Sequence, residues 1–378
     1  MSTIAIFHPS ADLYGSDRIL ANTLGAMPDK LHKKVYLLSN GPLVAHLYEK
    51  VCNVEVQICP EMPVMYRKIF TFKGIFLFFW TWLKFLVFIK REQKQYNFKT
   101  AYVNTLSNAF LLPILKAMNI PSFIHVHEIV VKPKLIGKVT AFLANRYAKH
   151  VVCVSQAVAD NLIKYTAKIS RKTVVIHNGI DAIKVACSEK HEHLSFYLFG
   201  RIMPQKGHWL VVEALANLPH SKLEKTTFTF MGGVLYNQTE LLSDLKAKIK
   251  EVGLENVIVF KPFEKYIESA MSEADVCLIP STILDSFPTT VLEAMSAEKL
   301  VIATNQGGAK EAIIDKRTGI LFEHNDANAL AKSIEAVIDS PSLTKSLGKE
   351  AKQHFNKLFT LERYSTNWNA FLIENRLY

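Results

Sequence analysis

Twice along this chain, short runs of β-branched and aromatic residues alternate with stretches of helical apolar spacing. That alternation restricts the fold more than any single motif. Thr3–His8, Lys34–Ser39, Thr100–Asn104, Ser122–His127 and His150–Val154 read as the strands of a first series. Ser195–Phe199, Thr226–Met231, Asn256–Phe260, Asp275–Ile279, Leu300–Ala303 and a short Gly319–Phe322 form a second. Asp17–Met27, Leu210–Asn217, Glu240–Val252, Pro288–Ala297 and Asn328–Ile338 fit as helices between them. Repeated βα units build parallel sheets with helices on both faces. Two series, parted by the polar stretch Asn178–His193, predict two Rossmann-like, doubly wound α/β domains. A length of 378 residues suits two cores better than one.

Composition narrows the class. Apolar residues make up 49% of the chain, which excludes a disordered protein, and 15 Gly with 14 Pro exclude a collagen-like one. Cys52, Cys59, Cys153, Cys187 and Cys277 are odd in number and contain no C-x-x-C pair, so neither a disulfide frame nor a zinc site is expected. They read as thiols of a reducing compartment. The first strand starts almost at Met1, which leaves no room for a signal peptide, and a cytosolic protein is expected. The net charge of +11 raises the question of nucleic acid, but no recognition motif accompanies it, and no nucleic-acid partner is expected.

In open α/β sheets ligands bind beyond the carboxyl ends of the strands. Four groups of residues fall there. The loop Pro9–Arg18 carries Gly15, Ser16 and Asp17, where backbone N–H groups at a helix start suit an anion. It lacks the G-x-G-x-x-G fingerprint and equally fits a plain turn with an Asp or Ser cap. Gly200-Arg201 and Lys206-Gly207 follow the first strand of the second series, and this cation pair suits a diphosphate or a solvated surface loop. Asp285-Ser286-Phe287-Pro288-Thr289-Thr290, with Glu293 one turn beyond Thr289, leads into a helix with Ser286 or Phe287 as its cap. Two carboxylates beside a helix start suit a ligand bearing both hydroxyls and phosphate, although a dipole-stabilising Asp and a surface Glu give the same spacing. Last, His125 and His127 share one face of a strand that ends at Glu128, and no third group at metal spacing joins them.

These segments, in this order, resemble the family 4 glycosyltransferases, retaining enzymes of the GT-B fold that use nucleotide-diphosphate sugars. Val152–Leu162 and Ile176–Asp181 look like the close of the first domain, and Gly200–Gly207 looks like the donor phosphate loop. Asp275–Met295, with Gly307-Gly308 through Gly319, looks like the nucleotide-sugar half. Thr360–Tyr378 resembles the helix that crosses back to the first domain. The resemblance implies an acceptor-binding domain over residues 1–180, a nucleotide-sugar domain over 181–356 and the returning helix over 357–378, with the two domains facing each other across the ligands.

It also implies roles. Arg201 and Lys206 would hold the diphosphate, and Glu293 the ribose. Backbone from Ser286 and Phe287 through Pro288, Thr289 and Thr290 would line phosphate and sugar, beside Gly200. Asp285 stands where the family has the first Glu of E-x7-E, and Tyr14 where it has the first glycine before Gly15. His127 and Glu128 would meet the acceptor or the reacting sugar. Transfer with retention and without an essential metal or cofactor follows from the same likeness, as does a hexose-type sugar moved to a lipid-linked or growing polysaccharide. A catalytically degenerate scaffold and a GT-B sugar-nucleotide epimerase are the alternatives.

Between Val64 and Tyr96 lie 11 aromatic residues, with seven Lys or Arg and the single acid Glu92. Lys73 and Lys84 interrupt every apolar run short of the ~18 residues needed to span a bilayer. On a helical projection Lys73, Lys84 and Arg91 fall on one side, and apolar residues, Trp80 and Trp82 among them, occupy the rest. This pattern predicts a helix lying on an anionic membrane surface, on the inner face of the cell membrane, with a helix buried against protein as the alternative.

Overall fold

A computed structural model of the chain describes residues 2–65, 71–185, 193–234, 238–264 and 267–377. Cys187, the aromatic-segment residues Tyr66, Arg67, Lys68 and Phe70, and the Phe72 side chain lie outside this description. The chain divides into two compact units, Met1–Gly179 with Leu361–Tyr378, and Ile180–Thr360.

The first unit holds seven strands: β1 (Thr3–His8), β2 (His32–Leu37), β3 (Val54–Ile58), β4 (Thr100–Asn104), β5 (Ser122–Val126), β6 (His150–Cys153) and β7 (Thr173–Val175). They form one parallel sheet in the order β3-β2-β1-β4-β5-β6-β7. All of β1 is buried, as a strand covered by helices on both faces requires. The sequence reading passed over β3 and β7. Both are edge strands with partly exposed residues, so neither carries the apolar run of a central strand. The expected start of β2 at Lys34 is two residues late, because His32 and Lys33 are also strand residues, and Lys33 is fully buried. The Lys33 ammonium donates to the carbonyls of Pro28, Leu31 and Cys52, which satisfies a charge the core would otherwise reject.

The second unit holds β8 (Leu194–Phe199), β9 (Thr226–Met231), β10 (Ile258–Lys261), β11 (Val276–Ile279), β12 (Leu300–Thr304) and β13 (Ile320–Phe322), in the order β10-β9-β8-β11-β12-β13. Its pairs are also parallel. The α/β, doubly wound expectation therefore holds in both units. Each sheet has one point at which the strand order reverses: between β1 and β4 in the first, and between β8 and β11 in the second.

The helix Leu361–Glu374 returns to the first unit. Tyr364, Trp368, Phe371 and Leu372 recur on one helical face and join the core around Ile4, Ile6 and Phe123. The return starts at Leu361 rather than at residue 357, because Phe355 and Phe359 are buried in the second unit, where Phe359 packs on Phe287 at 5.7 Å between ring centroids.

Candidate functional site

The residues singled out in the sequence gather at the carboxyl ends of strands beside the two reversal points. In the first unit β1 ends at His8, β4 at Asn104 and β5 just before His127. Asp17 lies in the first turn of the helix Gly15–Ala26, where its Oδ2 accepts the Tyr14 N–H at 2.9 Å. A Cβ at Gly15 would meet no protein atom, so crowding by the chain does not demand glycine there.

A continuous series of buried bonds crosses this end of the sheet. His8 Nε2 lies 2.7 Å from Asp17 Oδ1, and His8 Nδ1 lies 2.9 Å from Asn104 Nδ2. Asn104 Oδ1 is 2.8 Å from His127 Nε2 and accepts the Tyr102 hydroxyl at 3.0 Å. Tyr102 in turn meets His125 Nδ1 at 2.8 Å. His8, Asp17, Asn104 and His125 are buried, and His127 is partly so. His125 and His127 do share a face, with ring centroids 4.1 Å apart. Burial, reinforced by the neighbouring His8, pushes His127 down to about 3, and burial holds His125 well below the usual histidine range. Both rings are neutral near pH 7.

Glu128 was expected to meet an acceptor. Its carboxylate accepts the N–H groups of Leu106 and His127, tying the loop after β4 to the end of β5. Burial raises its pKa against the lowering effect of those bonds. Thr105, between the two strands' ends, has φ 71 and ψ 152, a strained conformation for a β-branched residue and one held beside the site. His8 and Asn104 were missed in the sequence. The signal was present: a polar residue closing an otherwise apolar strand at the reversal point.

In the second unit three loops interlock. Gly207, at φ +83, brings the loop after β8 against the loop after β11; a Cβ there would lie 1.9 Å from the Pro280 carbonyl oxygen. Thr282 N donates to the Gln205 carbonyl at 3.0 Å. Gly307 and Gly308, after β12, lie against the backbone of Asp285 and Ser286, and Gly308 N donates to the Asp285 carbonyl at 2.8 Å. Lys206 and Asp285 are thereby brought together: the ammonium is 3.3 Å from Asp285 Oδ2, which also accepts the Ser281 hydroxyl. The sequence reading assigned these two residues to separate parts of a ligand. With Lys206 38% exposed, the pair contributes at most about 1 kcal/mol, so an anionic ligand can redirect the ammonium at little cost.

Arg201 is exposed beside Gly200 at the end of β8. The helix expected from Pro288 runs Thr289–Ser296, with Pro288 itself at the cap position and no side-chain cap from Ser286 or Phe287. Phe287 is buried. The N–H groups of Thr289 and Thr290 open the helix and have no partner within it, which makes this end receptive to negative charge. Glu293, on the same helix, is only 9% exposed. Among the described residues no three His, Cys, Asp or Glu side chains converge as metal ligands.

The aromatic segment forms the helix Phe72–Tyr96, capped by the Thr71 hydroxyl, which accepts Gly74 N–H. Phe85, Ile89 and Glu92 face inward, and Glu92 accepts the Tyr36 hydroxyl. Outward lie Phe76, Phe79, Trp80, Leu83 and Val87, flanked by exposed Lys73, Lys84 and Arg91. Trp82 departs from the expectation that both tryptophans share the outer surface. Its indole N–H donates to the Phe110 carbonyl at 3.1 Å, because two residues on a helix are about 200° apart and the inner side is taken up by the sheet's own loops. No helix among the described residues is long and apolar enough to cross a membrane.

Comparison with known proteins adds the family. A model described as Glycosyltransferase Family 4 matches residues 30–183, and one described as Glycosyl transferases group 1 matches residues 181–354. The chain is 26% identical over 250 residues to an uncharacterised glycosyltransferase of Methanocaldococcus jannaschii, covering 65% of this chain and 66% of that protein. It is 30% identical over 182 residues to the lipopolysaccharide core biosynthesis mannosyltransferase LpcC of Rhizobium leguminosarum bv. viciae, covering 47% and 51%. The chain thus spans between about half and two thirds of the length of these two curated relatives. In fold it superimposes on Anabaena Alr3699/HepE in complex with UDP and glucose, with a TM-score of 0.81 at 23% identity, over 98% of this chain and 99% of that one. Two adjoining family models, two parallel-sheet units and strand-end loops at both reversal points agree: the chain belongs to family 4 of the glycosyltransferases and has the GT-B fold.

Proposed function

We propose that this protein transfers a hexose-type sugar, with retention, from a nucleotide-diphosphate sugar to a hydroxyl of a lipid-linked or growing surface polysaccharide. The observation that carries the proposal is the interlocked set of loops after β8, β11 and β12, which sets Lys206 and Asp285 beside the opening of the helix Thr289–Ser296. A cation and free helix N–H groups suit a diphosphate, and a carboxylate suits sugar hydroxyls. The UDP and glucose named with the Anabaena structure, and the lipopolysaccharide named for LpcC, support the donor and acceptor classes.

In this reading Arg201, Lys206 and the backbone of Phe287–Thr290 neutralise the diphosphate as it leaves. Glu293 holds the ribose, and Asp285 the transferred sugar. The acceptor hydroxyl attacks from the face the diphosphate leaves, and a departing phosphate oxygen takes its proton. His127 meets the acceptor or the reacting sugar. No metal is required. The outward face of the aromatic helix rests on the anionic inner surface of the cell membrane and brings the protein to a lipid-linked acceptor.

The test is an assay with a panel of nucleotide sugars and polyprenyl-linked or lipopolysaccharide-core acceptors, the anomeric configuration of the product being read by NMR. Product with the donor's configuration, formed in excess chelator, is expected. Binding of nucleotide sugar without transfer to any acceptor or water favours a scaffold, and an inverted anomer overturns retention.

A further inference from the structure

The buried bonds that join His8, Asp17 and Asn104 lead from the first β–α loop to His127, and their polarity can be followed atom by atom. We infer that Asp17, His8 and Asn104 are positioning residues that hold His127 in a single tautomer, with its proton on Nε2 and the Nδ1 lone pair left for a ligand hydroxyl. Only the role of that lone pair rests on the transfer reading.

As a carboxylate Asp17 has acceptor atoms alone, and its Oδ2 takes the Tyr14 N–H. His8 therefore donates from Nε2 to Oδ1. Asn104 turns its Oδ1 to the Tyr102 hydroxyl and so presents Nδ2, which can only donate, to His8; Nδ1 of His8 is therefore the acceptor. That orientation turns Asn104 Oδ1 toward Tyr102 and His127, and both must donate to it. His127 so commits its one proton at Nε2. The side branch obeys the same rule: the Tyr102 hydroxyl, having donated to Asn104, accepts from His125 Nδ1. Each atom has one role and no two conflict.

The free end of the series is His127 Nδ1. It bonds to no protein group among the described residues and is not among the polar atoms sealed from solvent. An outward lone pair accepts a hydrogen bond from a hydroxyl, whereas an outward N–H would favour a phosphate oxygen. The order of the bonds behind His127 thus selects the chemistry in front of it. Trp368, from the returning helix, packs edge-on against His125 at 5.0 Å and closes the floor of the series.

The full-length protein, labelled with 15N in its histidines, tests this by long-range 1H–15N correlation at neutral pH, with His127→Gln assigning the signal. Nε2 should show the shift of a protonated ring nitrogen and Nδ1 that of a bare one. Asp17→Asn should reverse the series. The new amide keeps its oxygen on the Tyr14 N–H and offers a hydrogen to His8, Asn104 turns over, and the two His127 nitrogens exchange shift classes. A residue that merely stabilised the fold would lower the melting temperature and leave the tautomer unchanged. A wild-type proton on Nδ1, a doubly protonated His127, or a folded Asp17→Asn protein with the proton still on Nε2 would overturn the inference. Should that variant not fold, the wild-type spectrum decides alone. No substrate is needed, so a negative result here and a failure of the transfer assay are separately visible.

Discussion

Lys206 and Asp285 show how a residue's role depends on what stands beside it. An exposed lysine in a loop is an ordinary solvated cation; 3.3 Å from a carboxylate and beside an open helix start, it is poised for an anion that carries hydroxyls. Arg201→Ala and Lys206→Ala should each lower turnover at least tenfold without altering the melting temperature. Loss of a donor to a leaving group costs about 2–4 kcal/mol by comparison with oxyanion donors. Glu293→Gln should weaken free nucleoside diphosphate and whole donor alike, and Asp285→Asn should spare the nucleotide and slow transfer; calorimetry with each ligand separates them. His127 gives a pH prediction with a definite sign. Its folded pKa of about 3 lies below the usual 6.5, so between those values the unfolded chain binds a proton the folded one does not. Stability should therefore fall as pH drops from about 7 toward 4, and His127→Gln should flatten part of that slope in urea titrations. Glu128, raised by burial, opposes the trend as pH falls through its raised pKa toward 4.5. The candidate residues were legible one by one because strand-end polar residues are rare in an apolar pattern. Their pairing was not, since Lys206 and Asp285 lie far apart in sequence and meet only through the close approach at Gly207.

At the scale of the element, the helix Phe72–Tyr96 makes the clearest case. Its inner face is spoken for by Phe85, Ile89, Glu92 and Trp82, and its outer face leaves Phe76 72% and Trp80 52% exposed. The two tryptophans should consequently behave differently. Trp80→Ser should weaken flotation with anionic vesicles at any salt and leave thermal unfolding unchanged, whereas Trp82→Ser should lower the melting temperature and spare flotation. Lys84→Glu with Arg91→Glu should cut binding to anionic vesicles, by about 1 kcal/mol for each lost basic contact, and added salt should mimic the change. Wild-type protein that fails to float with anionic vesicles at low salt would remove the membrane surface from the proposal. Periodicity revealed that this segment is a helix with cations on one side. It did not reveal which apolar arc faces the sheet, because apolar residues lie nearly all round and the choice is made by partners such as Phe110 and Tyr36.

For the molecule as a whole, the returning helix Leu361–Glu374 makes the stability of the first unit depend on the last residues of the chain. Trp368 is fully buried there, and the Tyr364 hydroxyl meets Thr23 at 2.6 Å. Trp368→Ala should cost about 3–5 kcal/mol by cavity formation. In calorimetry the loss should appear in the transition of the first unit, while nucleotide still protects the second against heating. A shift of both transitions together would mean that the two units unfold as one.

The sequence alone determined the two series of βα units, the class of fold and the strand-end loops that carry the candidate residues. Those follow from local periodicity and from the geometry of parallel sheets, which every short segment carries within itself. Tertiary structure decided the rest: the edge strands β3 and β7, the burial of Lys33, the exposed face of the aromatic helix, and the bonds from Asp17 through His8 and Asn104 to His127. An edge strand is recognised by its neighbour, and a buried cation by the carbonyls around it. A tautomer is set by the order of donors and acceptors along a path that leaves the chain at each step, so it exists only once β1, β4 and β5 lie side by side.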